Sequence, residues 1–204
     1  MKTVITIGRQ YGSGGRIIGH KLAEALNIPF YDKDLITLSA KESGLHEDVL
    51  STVDEVPANG FMYNLVSGIG SRVMSPVEIP LNDKLFILLS QTIKKLAHES
   101  CVIVGRSGNY ILRDNPNVLR VFVYADLEDR IKKVCRTENV DENRARDLIK
   151  KTDRRRASYS NYYTDLKWGH PEGYDLMINS SEFGYEKAVQ LIEKAIEMKE
   201  QSET

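Results

Sequence analysis

Residues that could do chemistry are densest in Gly8-Arg9-Gln10-Tyr11-Gly12-Ser13-Gly14-Gly15-Arg16. Gly12, Ser13, Gly14 and Gly15 are small enough for backbone N–H groups to close around an anion, and three glycines in four residues are costly in backbone entropy unless something approaches closely. The β-branched run Val4–Ile7 precedes them, and Ile17, Ile18, Leu22, Ala25 and Leu26 follow at helical spacing. The segment therefore reads as strand, turn and helix, with the positive end of the helix facing the turn, which suits phosphate. The plainer alternative is a glycine-rich turn without a ligand. The common phosphate loop, G-x-x-x-x-G-K-[ST], uses a lysine on the phosphates and a hydroxyl on Mg²⁺. With Gly14 as its second glycine, Arg9 stands at the first, Gly15 at the lysine and Arg16 at the hydroxyl. With Arg16 as the lysine equivalent, Gln10 falls on the first glycine. Arg16 is the expected cation, holding phosphate as a planar fork rather than a point charge.

Other candidates lie at strand ends and on one charged helix. Arg106 directly follows the apolar run Cys101–Val104 and Gly105, where an α/β sheet carries its sites; the alternative is a surface salt bridge. Arg154, Arg155 and Arg156 are successive, so on a helix they point about 100° apart and cannot all face one ligand. A solvated charged face is their alternative reading. Asp32 and Asp34 could orient an acceptor hydroxyl or a metal-bound water, or simply cap the next helix. Tyr159 and Tyr163 fit a packed stripe better than a base platform. His20, His46, His98 and His170 show no paired spacing and receive no role.

The elements that must position these groups alternate. Strands are expected at Val4–Ile7, Ile28–Tyr31, Cys101–Val104, Val118–Ala125 and Leu176–Asn179. Helices are expected after each, including one capped by Asn82, Leu127–Arg136, Glu142–Tyr163 and Tyr185–Lys199. The last helix should turn Ala188, Leu191, Ile192, Ala195 and Ile196 inward. Such alternation implies an α/β fold, a parallel sheet flanked by helices, with function at the carboxyl ends of the strands. Residues 46–81, punctuated by Pro57, Gly60, Gly68, Gly70, Pro76 and Pro80, are expected to form a mobile or partly helical insertion. There Phe61, Met62, Leu65, Val66, Ile69 and Val73 would either cover an acceptor pocket or form a homodimer contact.

The 204 residues require no more than one domain, 1–204. With 28 basic and 29 acidic side chains the net charge is -1, which argues for neither nucleic acid nor an anionic membrane as partner. Cys101 and Cys135 lack metal or disulfide spacing, and no apolar run nears the ~20 residues of a membrane span. A cytoplasmic protein is the expectation.

Ile5–Arg16 together with Ile28-Pro29-Phe30-Tyr31-Asp32-Lys33-Asp34-Leu35-Ile36 resembles the cytidylate-kinase-like group of P-loop kinases. Val102–Gly108, with its Gly105-Arg106 pair, resembles the strand-end element that in cytidylate kinases helps bind the acceptor nucleotide. Asp153-Arg154-Arg155-Arg156-Ala157 resembles their Asp-Arg-x-Arg-Ala lid segment, whose arginines act on phosphates. The likeness runs from Val4 to about Ser181. It implies a P-loop NTPase type of fold with sheet order 2-3-1-4-5, a helical lid over 142–170, ATP and Mg²⁺, and phosphoryl transfer to a pyrimidine nucleoside monophosphate such as CMP. Taken together with the residues themselves, it leads to the ATP phosphates at Gly12, Ser13, Gly14, Gly15 and Arg16, the acceptor at Arg106 with Asp32, and the moving phosphoryl at Arg156; the metal ligands stay unassigned. Ser107 departs from the family by standing where typical cytidylate kinases carry Asp. A non-catalytic nucleotide-binding protein, or a same-fold kinase for another small acceptor, are the alternatives.

Overall fold

The computed structural model describes residues 2–32, 35 and 81–201. The helix expected after Asp34 and the insertion as far as Pro80, with the pocket-cover and dimer roles weighed for it, lie outside the described residues. Five strands form one parallel sheet: β1 (Val4–Arg9), β2 (Phe30–Tyr31), β3 (Cys101–Val104), β4 (Val118–Tyr124) and β5 (Leu176–Asn179). Their order is β2-β3-β1-β4-β5, as the family resemblance implies. β1 lies at the centre, its Val4 to Ile7 opposite Cys101 to Val104 on one side and opposite Val118 to Val121 on the other. Every crossover thus delivers its loop to the same sheet edge.

Alternation along β1 divides the core. Ile5 and Ile7 join α1 (Gly15–Leu26) and the last helix, through Ile18, Leu22, Ala188 and Ile192. Val4 and β3's Ile103 join α2 (Leu81–Leu96) and a four-residue helix, α3 (Gly108–Ile111), through Leu85, Leu89, Ile93 and Ile111. Covered on both faces, the strands are predominantly apolar, and β3 (Cys101–Val104) is wholly buried, as a covered parallel sheet requires. A third cluster, Ile131, Val134, Ala145 and Ile149, joins α4 (Leu127–Glu138) to α5 (Glu142–Tyr163), and the Tyr11 ring packs on it. The last helix, α6 (Ser180–Gln201), is interrupted at Gly184, whose φ of 69° and ψ of -178° set the part from Tyr185 onward on its own axis.

Several local expectations need correction. β2 is shorter than Ile28–Tyr31 because pairing with β3 begins at the Pro29 carbonyl, which accepts from Val102 N–H at 2.9 Å. Asn82 lies inside α2 rather than capping it. On α6, Leu191 is exposed and Val189 takes its place in the core. α3, at four residues, is too short to leave a periodicity.

Edge strand β5 is fastened by a two-toothed ion pair. Arg120 reaches Asp175 with Nε at 3.1 Å and Nη2 at 2.5 Å, and its backbone N–H donates to the same carboxylate at 2.8 Å. Burial alone would raise the Asp175 pKa, but the hydrogen bonds from Arg120 outweigh it and hold the carboxyl below its ordinary value. A group depressed in the folded state contributes stability above its unfolded pKa and loses it as pH falls through the folded one. Asp175→Asn should therefore lower unfolding stability by about 1 kcal/mol at pH 7, partial exposure limiting the effect. The gap to the parent should close below roughly pH 4, read from urea titrations across pH.

Candidate active site

Between β1 and α1, the loop turns through Gly12 (φ 82°) and Gly14 (φ 81°), left-handed positions that favour glycine. Each glycine also answers to a neighbour within the protein. A Cβ on Gly12 would lie 3.0 Å from the Arg130 carbonyl oxygen, one on Gly14 2.3 Å from the Tyr185 ring, and one on Gly15 2.6 Å from Arg9 Cβ. Glycine density here thus reports packing as well as any ligand. Ser13 is buried, its hydroxyl donating to Gln10 O at 2.9 Å. Its carbonyl accepts from Ser180 Oγ at 2.6 Å, which ties the loop to the start of α6. α1 has no side-chain cap and no acidic residue in its first turn, so the helix opens toward the loop with its positive end uncompensated by side chains.

Cations gather around that opening. Asp32, buried at the end of β2, receives Arg16 Nε at 2.7 Å and faces Arg9 Nη2 at 3.7 Å. Arg16 is exposed (68%) and Arg9 enclosed (14%). Asp32 thus orients cations, a use that neither of its expected roles included. Beyond β3, Gly105, Arg106 and Ser107 are left-handed in succession, with φ of 81°, 55° and 53°. For the two non-glycine residues that conformation costs about 1 kcal/mol or more each. It places the Arg106 side chain in the interior, 6% exposed, and Ser107 Oγ in a buried position with no hydrogen-bond partner among the described residues.

α5 closes over the loop from the other side. Arg154 and Arg155 are exposed, whereas Arg156 turns inward, donates from Nη1 to Arg9 O at 3.2 Å and lies over the Tyr11 ring at 5.7 Å. Asp153 accepts the Tyr11 N–H at 2.7 Å and pairs with Arg130, whose Nε donates to Tyr11 O at 2.7 Å. Both peptide groups flanking Tyr11 are therefore held by one ion pair, in which Arg130 is buried and Asp153 partly so. Burial, aided by its hydrogen bond to Glu138, pushes the Tyr11 hydroxyl up to about 12, so it donates to that carboxylate throughout the neutral range. Arg130 carries no expectation from sequence, because a charge on a polar helix reads as solvated. Tyr159 and Tyr163 pack with Phe86 as the stripe reading expects.

Two cavities meet here. The larger, about 1310 Å³ of space open to solvent, runs along Gly12, Gly14, Gly15 and Arg16. Among the described residues it is lined by six cationic side chains and two carboxylates, Asp32 and Glu138. The smaller, about 390 Å³, is lined by Thr6, Ser107, Asn109, Trp168 and Tyr174 among others. Arg9, Arg106 and Arg156 line both. The expected Arg16, Arg106, Arg156 and Asp32 all border the larger cavity; buried Ser13 does not.

The donor set does not suit Mg²⁺. Arg16 occupies the place of the usual hydroxyl ligand, Asp32 faces two guanidiniums, and the Ser13 hydroxyl is bonded to Gln10. No group of three or more potential metal ligands occurs among the described residues. No helix among them is long and apolar enough to cross a membrane.

Residues 4–182 match the family described as the cytidylate kinase-like family. A cytidylate kinase from Archaeoglobus fulgidus is 31% identical over 127 residues, which span 58% of this chain and 66% of that protein, just under two thirds. An uncharacterized protein from Eubacterium ventriosum has a solved structure similar at TM-score 0.73 and 30% identity, covering 96% of this chain and 99% of its own. Shikimate kinase from Bacteroides thetaiotaomicron, at TM-score 0.54 and 14% identity over 97% and 99% of the two chains, shares the fold.

The buried pair behind Tyr11 generates a stability prediction. Asp153→Asn strands the Arg130 charge and should cost about 3 kcal/mol in chemical unfolding, far more than removing an exposed pair. A change below about 0.5 kcal/mol would show that the pair does not fasten the loop.

Proposed function

Because the chain belongs to the cytidylate kinase-like family, we propose that it transfers the γ-phosphoryl group of ATP to a small phosphorylated acceptor, with a pyrimidine nucleoside monophosphate such as CMP as the favoured one. The observation that carries this reading is the shared wall of arginines between two adjoining cavities. Phosphoryl transfer needs mainly positioning and neutralisation of the moving group, and arginines between donor and acceptor supply both.

In this reading the backbone from Gly12 to Gly15 and the first turn of α1 hold the ATP phosphates, with Arg16 at the rim. Arg106 binds the acceptor phosphate, and its left-handed backbone fixes that side chain before the substrate arrives. An acceptor oxygen attacks the γ-phosphorus, the bond to the bridging oxygen breaks, and ADP leaves. Arg156, on the lid helix, neutralises the phosphoryl oxygens in passage. Mg²⁺ is expected as the counter-ion carried by the ATP phosphates, and none of these steps is routed through it. Asp32 serves the acceptor side indirectly, by holding the cations beside it. A nucleotide-using enzyme of the cytoplasm is the proposal that goes with these roles.

One observation favours a second acceptor class. Ser107 presents a buried hydroxyl without a hydrogen-bond partner among the described residues, in the smaller cavity, where typical cytidylate kinases carry an acid. A neutral hydroxyl there suits a small polyhydroxy or carboxylate acceptor as well as a cytosine base.

Calorimetry with ATP and CMP, followed by coupled ADP release over nucleoside monophosphates and small hydroxyl compounds, tests the reading. Saturable ATP binding and CMP-dependent ADP release are expected, with Arg106→Ala slowing turnover about a hundredfold. Arg16→Ala, at an exposed position, should weaken ATP binding only about threefold. Tight ATP binding without turnover on any acceptor would contradict the kinase and leave a nucleotide-binding protein.

A further inference from the structure

We propose that Arg9, the last residue of β1, supplies the phosphate-binding cation that the loop lacks at Gly15. The inference rests on the nucleotide reading above and extends it to a residue that the motif leaves without a role.

Position 15 is where a lysine would begin, and Arg9 already fills the start of its path. A Cβ at residue 15 would stand 2.6 Å from Arg9 Cβ and 3.3 Å from Arg9 Cγ. Real side chains cannot share that space, so a long residue at 9 and any side chain at 15 exclude each other. At its far end the Arg9 guanidinium occupies the room left by Gly105, where a Cβ would fall 2.0 Å from Nη1 and 2.8 Å from Cζ. Gly15, at the start of α1, and Gly105, after β3, are distant in sequence, and both leave spaces filled by one side chain.

The guanidinium is also aimed by charge. Arg9 Nη2 lies 3.7 Å from Asp32 Oδ1, beyond direct hydrogen-bond length, while Arg16 holds the other oxygen of that carboxylate at 2.7 Å. One carboxylate thus steers two cations: an exposed one at the rim and an enclosed one deep in the larger cavity. Arg9 borders both cavities, whereas Arg16 borders only the larger. A guanidinium at that depth reaches phosphate oxygens with a fixed fork, and low exposure strengthens each charge-assisted contact. Stem and charge have moved from the first helical residue to the last strand residue, and the glycine at 15 is the consequence.

Moving the cation back tests this. The pair Arg9→Gly with Gly15→Lys would rebuild the G-x-x-x-x-G-K spacing over residues 9–15. ATP binding is measured by calorimetry, with inorganic tripolyphosphate as a second probe and thermal unfolding as the check on folding. Arg9→Met should weaken ATP at least about tenfold, and Gly15→Lys alone should also weaken it, because the two side chains collide. The double variant should recover to within about threefold of the parent, a coupling that additive losses cannot produce. If Arg9→Met fails to fold, the folded double variant decides: recovery supports the exchange, and loss as deep as in Gly15→Lys alone overturns it. Arg9→Met binding ATP within about twofold of the parent would overturn the role of Arg9 while leaving the nucleotide reading intact. A parent chain that binds no ATP would overturn both.

Discussion

Space above the first turn of α1 is the constraint on which the site depends. β1 delivers Arg9 to that place, and the Arg9 stem leaves room only for glycine at 15. Asp32 then has two guanidiniums to face, one enclosed and one exposed. Proposed site and packing coincide: the glycines proposed to face a phosphate are the same ones that seat Arg9, Arg130 and Tyr185.

Strain is concentrated beside that arrangement. Arg106 and Ser107 hold left-handed conformations that their side chains disfavour, at the end of a strand that is otherwise wholly buried. The surrounding packing over-determines them: Gly105 N–H donates to Ile7 O at 3.0 Å and Gly108 N–H to Gly105 O at 3.0 Å. On the opposite side, Asp153 and Arg130 fix the peptides around Tyr11, and the aromatic stack of Phe86 with Tyr163 anchors the far end of the same helix. The arginine wall is thus built from three separate supports, a strand end, a strained turn and a helix, all meeting at the carboxyl edge of the sheet.

The architecture was legible because its signals are local. A β-branched run, three glycines and an i, i+3, i+4 stripe define strand, turn and helix without reference to the rest of the chain. α5 was bounded correctly because Asp141 caps it, accepting Arg144 N–H at 2.8 Å, and no glycine or proline interrupts it. Strand order came from the family resemblance rather than from periodicity. Helical geometry established only that Arg154, Arg155 and Arg156 cannot all face one ligand; the choice of Arg156 came from the family resemblance. Arg9 was hidden for a physical reason. Its meaning depends on positions 15 and 105 lacking side chains, and mutual exclusion between the end of β1, the start of α1 and the turn after β3 leaves no pattern along the chain. Arg130 was hidden likewise, since its burial depends on Tyr11 and Asp153.

A crystal structure with a non-hydrolysable ATP analogue bears most directly on the arrangement. The account predicts the β- and γ-phosphates between the amides of residues 12–16 and the Arg9 guanidinium, with Arg106 and Arg156 on the far side of the γ-phosphate. Phosphates bound away from the β1–α1 loop, or a loop filled with Arg9 still turned to Asp32 alone, would contradict it.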